Sequence, residues 1–301
     1  MYWHKLYGLI MNSVRYIFCM IIGLLLLSKQ AYAIDLNPGD LRPLKPGVNL
    51  IMLSYQQSNR SDRYSQGDKQ AGNPEIQAAQ MQIRLGHSFE IAEHPAIFYA
   101  QTPIGYTHPE ADLSAANGDS GIGDTTFLLG MWPYANHESK TYFAVGGYLT
   151  IPTGSYAAER SSFNVGQNRY NAALQAGYQT PLLDALNGVA AFDAVWFADN
   201  DAYGAPHKNL EQKLLYTSQL GLQYMVTPSY SVSATYFYTV GGETSLDGVS
   251  RDDITRLQRY QLTGQANFSF GRISLQYGGD LKTENGYIEN SRWILRYTKL
   301  F

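Results

Sequence analysis

From residue 47 to the end, the chain alternates apolar and polar side chains with a period of two, in segments of about ten to fourteen residues, the length of a tilted membrane-crossing strand. Alternate residues of a strand face opposite sides. In one segment Leu214, Tyr216, Leu220, Leu222, Tyr224 and Val226 share a side, against Lys213, Thr217, Gln219 and Gln223. In the next, Tyr230, Val232, Ala234, Tyr236 and Tyr238 oppose Ser231, Ser233, Thr235 and Thr239. The pattern predicts strands over 47–56, 78–91, 96–107, 122–134, 141–151, 166–180, 188–198, 211–227, 230–240, 255–270, 272–283 and 287–301. Their connections alternate between short ones, such as 92–95, 227–229 and 270–271, and long polar ones, such as 57–77, 108–121, 152–165, 199–210 and 241–254. Tight turns at one end and long loops at the other are the habit of outer-membrane barrels. The expected fold is therefore all-β: a transmembrane, antiparallel, up-and-down β-barrel of about 12 strands, spanning residues 47–301.

The two ends of the chain agree with this. Trp293, Leu295, Tyr297 and the terminal Phe301 share the apolar face of the last strand, and Arg292, Ile294, Arg296 and Thr298 share the other. An aromatic terminus with period-2 aromatics resembles the signal that the outer-membrane barrel-assembly machinery reads. Lys299 departs from that pattern; at the rim its long stem lets the ammonium reach the headgroups. At the start, a charged stretch ending in Arg15 is followed by an apolar run over 16–27 and the triplet Ala31-Tyr32-Ala33. This reads as a secretory signal peptide over 1–33, cleaved after Ala33, with translation starting at Met1 or Met11. The run is too short to span a bilayer, which takes roughly 20 residues. Residues 34–46, proline-rich and without alternation, are expected to form a periplasmic N-terminal segment, either a tail or a plug inserted into the barrel from below. The single cysteine, Cys19, falls in the signal peptide, so disulfides and thiolate chemistry are excluded from the exported chain.

Composition narrows the function classes. The first 33 residues hold Lys5, Arg15 and Lys29 and no acid, which takes the 22 Lys and Arg down by three, to 19, against 25 Asp and Glu, a net charge of about −6. Such a balance argues against nucleic acid as a partner. Of the histidines beyond the signal peptide, His87 has lipid-facing parity, His94 and His137 fall in turns, and His108 and His207 lie in or beside loops. None shares a strand face with a neighbouring nucleophile, so no catalytic residues are assigned, and neither a metal site nor a cofactor is implied.

A charged group facing lipid costs about 2–4 kcal/mol near the midplane, so the polar faces must line the lumen. By parity the lining holds Arg84, Glu90, Asp124, Arg169, Asp193, Lys213, Arg259, Arg272, Asp280, Lys282, Arg292 and Arg296. Two readings stand: cross-lumen ion pairs that hold the barrel's shape, or a selectivity lining that favours anions. Twelve strands predict a narrow pore. Tyr99, Trp132, Tyr134, Tyr148, Tyr178, Trp196, Tyr224, Tyr230 and Trp293 are candidates for aromatic girdles, with Trp132 sharing parity with lumen residues.

Three blocks carry a family resemblance: Ser120-Gly121-Ile122-Gly123-Asp124-Thr125-Thr126, Gly147-Tyr148-Leu149-Thr150-Ile151-Pro152-Thr153-Gly154-Ser155-Tyr156, and Phe163-Asn164-Val165-Gly166-Gln167-Asn168-Arg169-Tyr170. They resemble the MetA-pathway of phenol degradation family of outer-membrane proteins. The resemblance implies a Gram-negative outer-membrane channel for small solutes, with aromatic or hydrophobic compounds among them, working by passive diffusion through a narrow polar lumen. It carries no catalytic or binding residues. The alternatives are a non-conducting structural or surface-binding barrel and a lipid-modifying barrel enzyme. Expected partners are outer-membrane lipid and lipopolysaccharide, the barrel-assembly machinery and a small-molecule solute; oligomeric state is left open. A charged, glutamine-rich lining, with no loop rich in apolar residues, offers an apolar solute no evident seat.

Overall fold

A computed structural model describes residues 35–301, the side chains of Ser161 and Ser162 apart; the expected signal peptide over 1–33, and Ile34 with it, lies outside the described residues. Twelve long antiparallel strands close into one barrel. They are β1 (Asn49–Ser65), β2 (Pro74–Ile91), β3 (His94–Ala111), β4 (Thr125–Asn136), β5 (Thr141–Ile151), β6 (Asn171–Leu183), β7 (Leu186–Phe197), β8 (Leu215–Met225), β9 (Tyr230–Gly241), β10 (Thr255–Phe268), β11 (Gly271–Thr283) and β12 (Gly286–Leu300). Each expected segment overlaps one of them. Every strand pairs with its neighbours in sequence, and β1 pairs β12 from Leu50 opposite Leu300 to Tyr64 opposite Gly286. Closure satisfies the backbone donors and acceptors that an open edge would expose to lipid.

The pleat turns the chain inside out relative to a water-soluble domain. Met81, Ile83 and Leu85 of β2, and Leu220, Leu222 and Tyr224 of β8, are exposed on the outer face, while Thr217, Gln219 and Gln223 are buried inside. At the turn end, β2 and β3 are joined by Ala92 and Glu93 alone, both with positive φ (49° and 66°). Two successive left-handed residues make a turn whose twist matches that of the flanking strands. At the loop end, the long connections fold onto one another. Asn200–Tyr203, Lys208–Gln212, Thr244–Leu246 and Val249–Ser250 form a small four-stranded sheet, with Tyr203, Leu210 and Leu246 packed together in it.

Register shifts interrupt the ladders at several points, and two of them change which residues face the lumen. Between Met131 and Tyr134 the β4–β5 register shifts, so Trp132 points inward and is buried while Tyr134 is half exposed outside. A second shift at Gln258/Arg259, opposite β11, keeps Asp280 inside and leaves Lys282 exposed, removing Lys282 from the expected lining. An added residue in one strand flips the parity of all that follows it until the next irregularity.

Candidate functional site: the barrel lumen

The lumen contains a cavity of about 960 Å³ that runs from Asp124 and Gln167 near the loop end to Arg272 and Lys299 near the turn end. Residues 35–45 of the N-terminal segment run inside it, the plug of the two placements that the sequence leaves open. The Leu36 N–H donates to Gln219 Oε1 at 3.0 Å, and Gln276 Nε2 donates to Asn37 Oδ1 at 3.0 Å. Trp132 Nε1 donates to the Leu41 carbonyl at 2.8 Å. Where Leu41 crosses β6 the wall has a glycine, Gly177, at which a Cβ would fall 2.6 Å from Leu41 Cδ2. The close approach therefore depends on that residue having no side chain.

A carboxylate anchors this segment to the wall. Asp35 takes a two-pronged contact from Arg259 (Nη1–Oδ2 2.8 Å, Nη2–Oδ1 2.5 Å) and lies 3.7 Å from Arg292 Nη2. Arg292 also lies 3.5 Å from Glu289, which pairs with Arg60 at 3.0 Å. The Glu289 N–H donates to Asp280 Oδ2 at 2.7 Å, and the Arg259 guanidinium lies 4.0 Å from the centre of the Phe237 ring. Buried charges are tolerated when paired and bonded in this way. Asp193 is wholly buried on the neighbouring wall, between Gln175 and Gln219. Of the residues expected in the lining, then, Asp193, Arg259, Asp280 and Arg292 meet in one polar region together with Asp35, Arg60 and Glu289.

Arg84, Arg272 and Arg296 also line the cavity but form no ion pair among the described residues. Arg84 Nε donates to Gln101 Oε1 at 2.9 Å and its guanidinium lies 4.1 Å from the Tyr99 ring centre; Arg272 Nε donates to Asn267 at 3.0 Å. Four expected lining residues lie elsewhere or serve another purpose. Glu90 is exposed at the turn-end rim. Lys213 is exposed among the loops, where its 2.5 Å bond to Glu243 raises its pKa. Arg169 precedes β6 and is buried in the loop cap, bonded to Gln212, with burial lowering its guanidinium to about 10. Asp124 borders the cavity mouth, but its carboxylate accepts the Gly154 and Gln167 N–H groups at 2.9 and 2.8 Å. That grip brings Gly154 against Gly166, where a Cβ on either would meet the other's backbone at 2.7–2.9 Å. Residues of the second and third sequence blocks are thus clamped by the first. Asp119, which parity does not single out, grips the same cap through the Val165 N–H at 3.0 Å and through Arg160.

The lumen is not uniformly polar. Tyr99, Leu128, Tyr148, Ala173, Val195 and Leu215, from β3 to β8, make a continuous buried cluster with Ile97 and Phe197 packed against it. Tyr99 and Tyr148 meet edge to face at 6.5 Å, and the Tyr148 hydroxyl donates to Gln175 at 3.0 Å. Tyr99 and Tyr148, expected among the girdles, therefore face inward with Trp132, and one wall of the cavity is apolar and aromatic. Tyr134, Tyr178, Trp196, Tyr224, Tyr230 and Trp293 do face outward. Trp293 and Leu295 of β12 and Phe301 just past it are exposed, and the half-buried Tyr297 hydroxyl donates to the Phe270 carbonyl at 2.8 Å.

A closed twelve-stranded barrel with an apolar belt, polar interior and axial cavity defines an outer-membrane β-barrel of the channel type. The chain belongs to the MetA-pathway of phenol degradation family, whose sequence profile matches residues 59–296. An outer membrane channel from Pseudomonas putida F1 is 30% identical, with a TM-score of 0.85 over 89% of this chain and 100% of that one. The deltaS2 mutant of TodX, a monoaromatic hydrocarbon channel, shares the fold at 10% identity, with a TM-score of 0.51 over 88% of this chain and 93% of that one. So does the β domain of the Bordetella autotransporter BrkA, at 9% identity and a TM-score of 0.52 over 85% of this chain and 100% of that one. The comparison with curated proteins finds no match.

Proposed function

We propose that the protein is an outer-membrane channel that lets small solutes, aromatic or hydrophobic compounds among them, diffuse passively through its lumen. The observation that carries this reading is the axial cavity of about 960 Å³, within the range of small-molecule sites, bounded by a polar wall on one side and an aromatic wall on the other. The aromatic wall supplies the seat for apolar groups that the charged residues alone do not. Arg84, Asp193, Arg259, Arg272, Asp280, Arg292 and Arg296 are the lining residues in this reading, and the chain reaches the membrane after cleavage of residues 1–33. Trp293, Leu295, Tyr297 and Phe301 would be read by the barrel-assembly machinery, and the exposed apolar belt would be covered by outer-membrane lipid and lipopolysaccharide. No catalytic step is assigned.

One observation favours a second reading, a non-conducting barrel: residues 35–46 fill part of the lumen. Single-channel recording in planar bilayers separates the two. A channel gives discrete conductance steps that grow when residues 35–46 are deleted. A folded barrel that stays silent with and without the segment contradicts the channel.

A further inference from the structure

The arginine-bearing wall and the aromatic wall of the lumen meet at one seam, and the residues there are complementary to a particular kind of solute. Arg296 of β12 and Arg84 of β2 flank the same stretch of β1: Ser54 is opposite Arg296, and Met52 is opposite Arg84. Arg84 in turn lies over Tyr99, whose ring meets Tyr148. All four line the one cavity.

Neither cation at this seam has a carboxylate within ion-pair distance among the described residues. The Arg296 side chain makes no hydrogen bond or ion pair among the described residues, and its Nε is buried without a partner. Arg84 spends its Nε on Gln101 and has no carboxylate within ion-pair reach among the described residues. The carboxylates whose fields reach Arg296 belong to the inserted segment and act from beyond ion-pair distance. Asp35 is held by Arg259, and Asp40 accepts the Asn37 N–H at 3.0 Å and its amide at 2.9 Å. A guanidinium removed from water without an anion is costly, and its planar fork matches a carboxylate. Beside it, the Tyr99 and Tyr148 rings offer an apolar face that a small hydrophilic anion cannot use.

We propose that this seam binds aromatic carboxylates, the carboxylate on Arg296 and Arg84 and the ring against Tyr99 and Tyr148. The inference deepens the channel reading by naming a solute class. It separates benzoate from two look-alikes: benzyl alcohol has the ring without the charge, and acetate has the charge without the ring.

The test uses the mature, folded protein with benzoate, benzyl alcohol and acetate as probes, in wild type, Arg296→Gln, Arg296→Lys and Arg84→Gln. In planar bilayers benzoate should interrupt the conductance steps at concentrations about tenfold or more below those needed for either look-alike. Arg296→Gln should raise the effective benzoate concentration about tenfold, Arg84→Gln should weaken it too, and Arg296→Lys, which keeps the charge but loses the fork, should fall between. Titration calorimetry on the same barrel in detergent keeps this inference apart from the channel reading. Arginine-dependent benzoate binding to a silent barrel upholds the seam and overturns the channel. Open steps indifferent to benzoate, or interrupted equally by benzyl alcohol or acetate, overturn the seam and leave the channel standing. Benzoate binding that is the same in wild type, Arg296→Gln and Arg84→Gln also overturns it, as does no binding to the wild type. Should Arg296→Gln fail to fold, Arg296→Lys and Arg84→Gln carry the comparison.

Discussion

Asp35 carries more of the lumen's organisation than any residue that parity singles out. It balances Arg259 and Arg292 at once, and it belongs to a segment held otherwise by a few hydrogen bonds. Removing one partner of a buried pair costs about 3–5 kcal/mol when the survivor stays dry. Here the cheaper response is for the segment to leave and water to enter. Asp35→Ala should therefore leave the barrel folded but make residues 35–46 cleavable by protease and raise conductance toward that of the deletion; a protected segment and unchanged steps would show that the hydrogen bonds hold it without the ion pair. Asp124 works by a different logic at the loop end, since its carboxylate accepts two backbone N–H groups. Asp124→Ala leaves both without their acceptor, at about 1–3 kcal/mol each. The variant should unfold at lower urea, with protease cutting first within 152–170; an unchanged midpoint would mean that Asp119 holds the cap alone.

Among the elements, the strands were legible in the sequence because lipid outside and water inside impose opposite demands on successive residues. All twelve could be placed from that alone, with the alternation of short and long connections. What escaped has physical causes that can be named. Parity shows which residues share a face but not which of them are apolar by design on the inner one, so Tyr99 and Tyr148 passed for girdle residues and the aromatic wall went unseen. The register shift at Met131/Tyr134 is marked by Pro133, which cannot donate to the ladder, whereas the one at Gln258/Arg259 has no proline to mark it, and parity carried through it misplaces Lys282. Residues 35–46 have no alternation because they cross no bilayer, so the sequence leaves a tail and a plug equally open and does not choose between them. Glu90, Arg169 and Lys213 had lumen parity but lie at or past the strand ends, where it no longer reports a wall. The two faces of β8 provide a direct check. Leu220→Arg, on the exposed face, should destabilise the barrel in vesicles by about 2–4 kcal/mol. Gln223→Arg, on the inner face, should cost far less; equal losses in urea titrations would contradict the assignment of faces.

At the scale of the whole molecule, a polar interior inside an apolar shell admits two uses, a wall around a path or a wall around a plug. The cavity of about 960 Å³ persists with residues 35–46 in place, and those residues join the wall at the turn end, where Gly47 N–H bonds the Ser88 carbonyl at 2.7 Å and β1 begins. Further in, they are held by three hydrogen bonds and the Asp35 ion pairs rather than by an apolar core, which suits a removable constriction. The most direct test is the single-channel conductance of the mature protein beside that of the same chain lacking residues 35–46. Small steps in the first and several-fold larger steps in the second are the expected result. Two folded barrels that conduct alike, or not at all, would contradict the view that the lumen is a solute path narrowed by its own N-terminal segment.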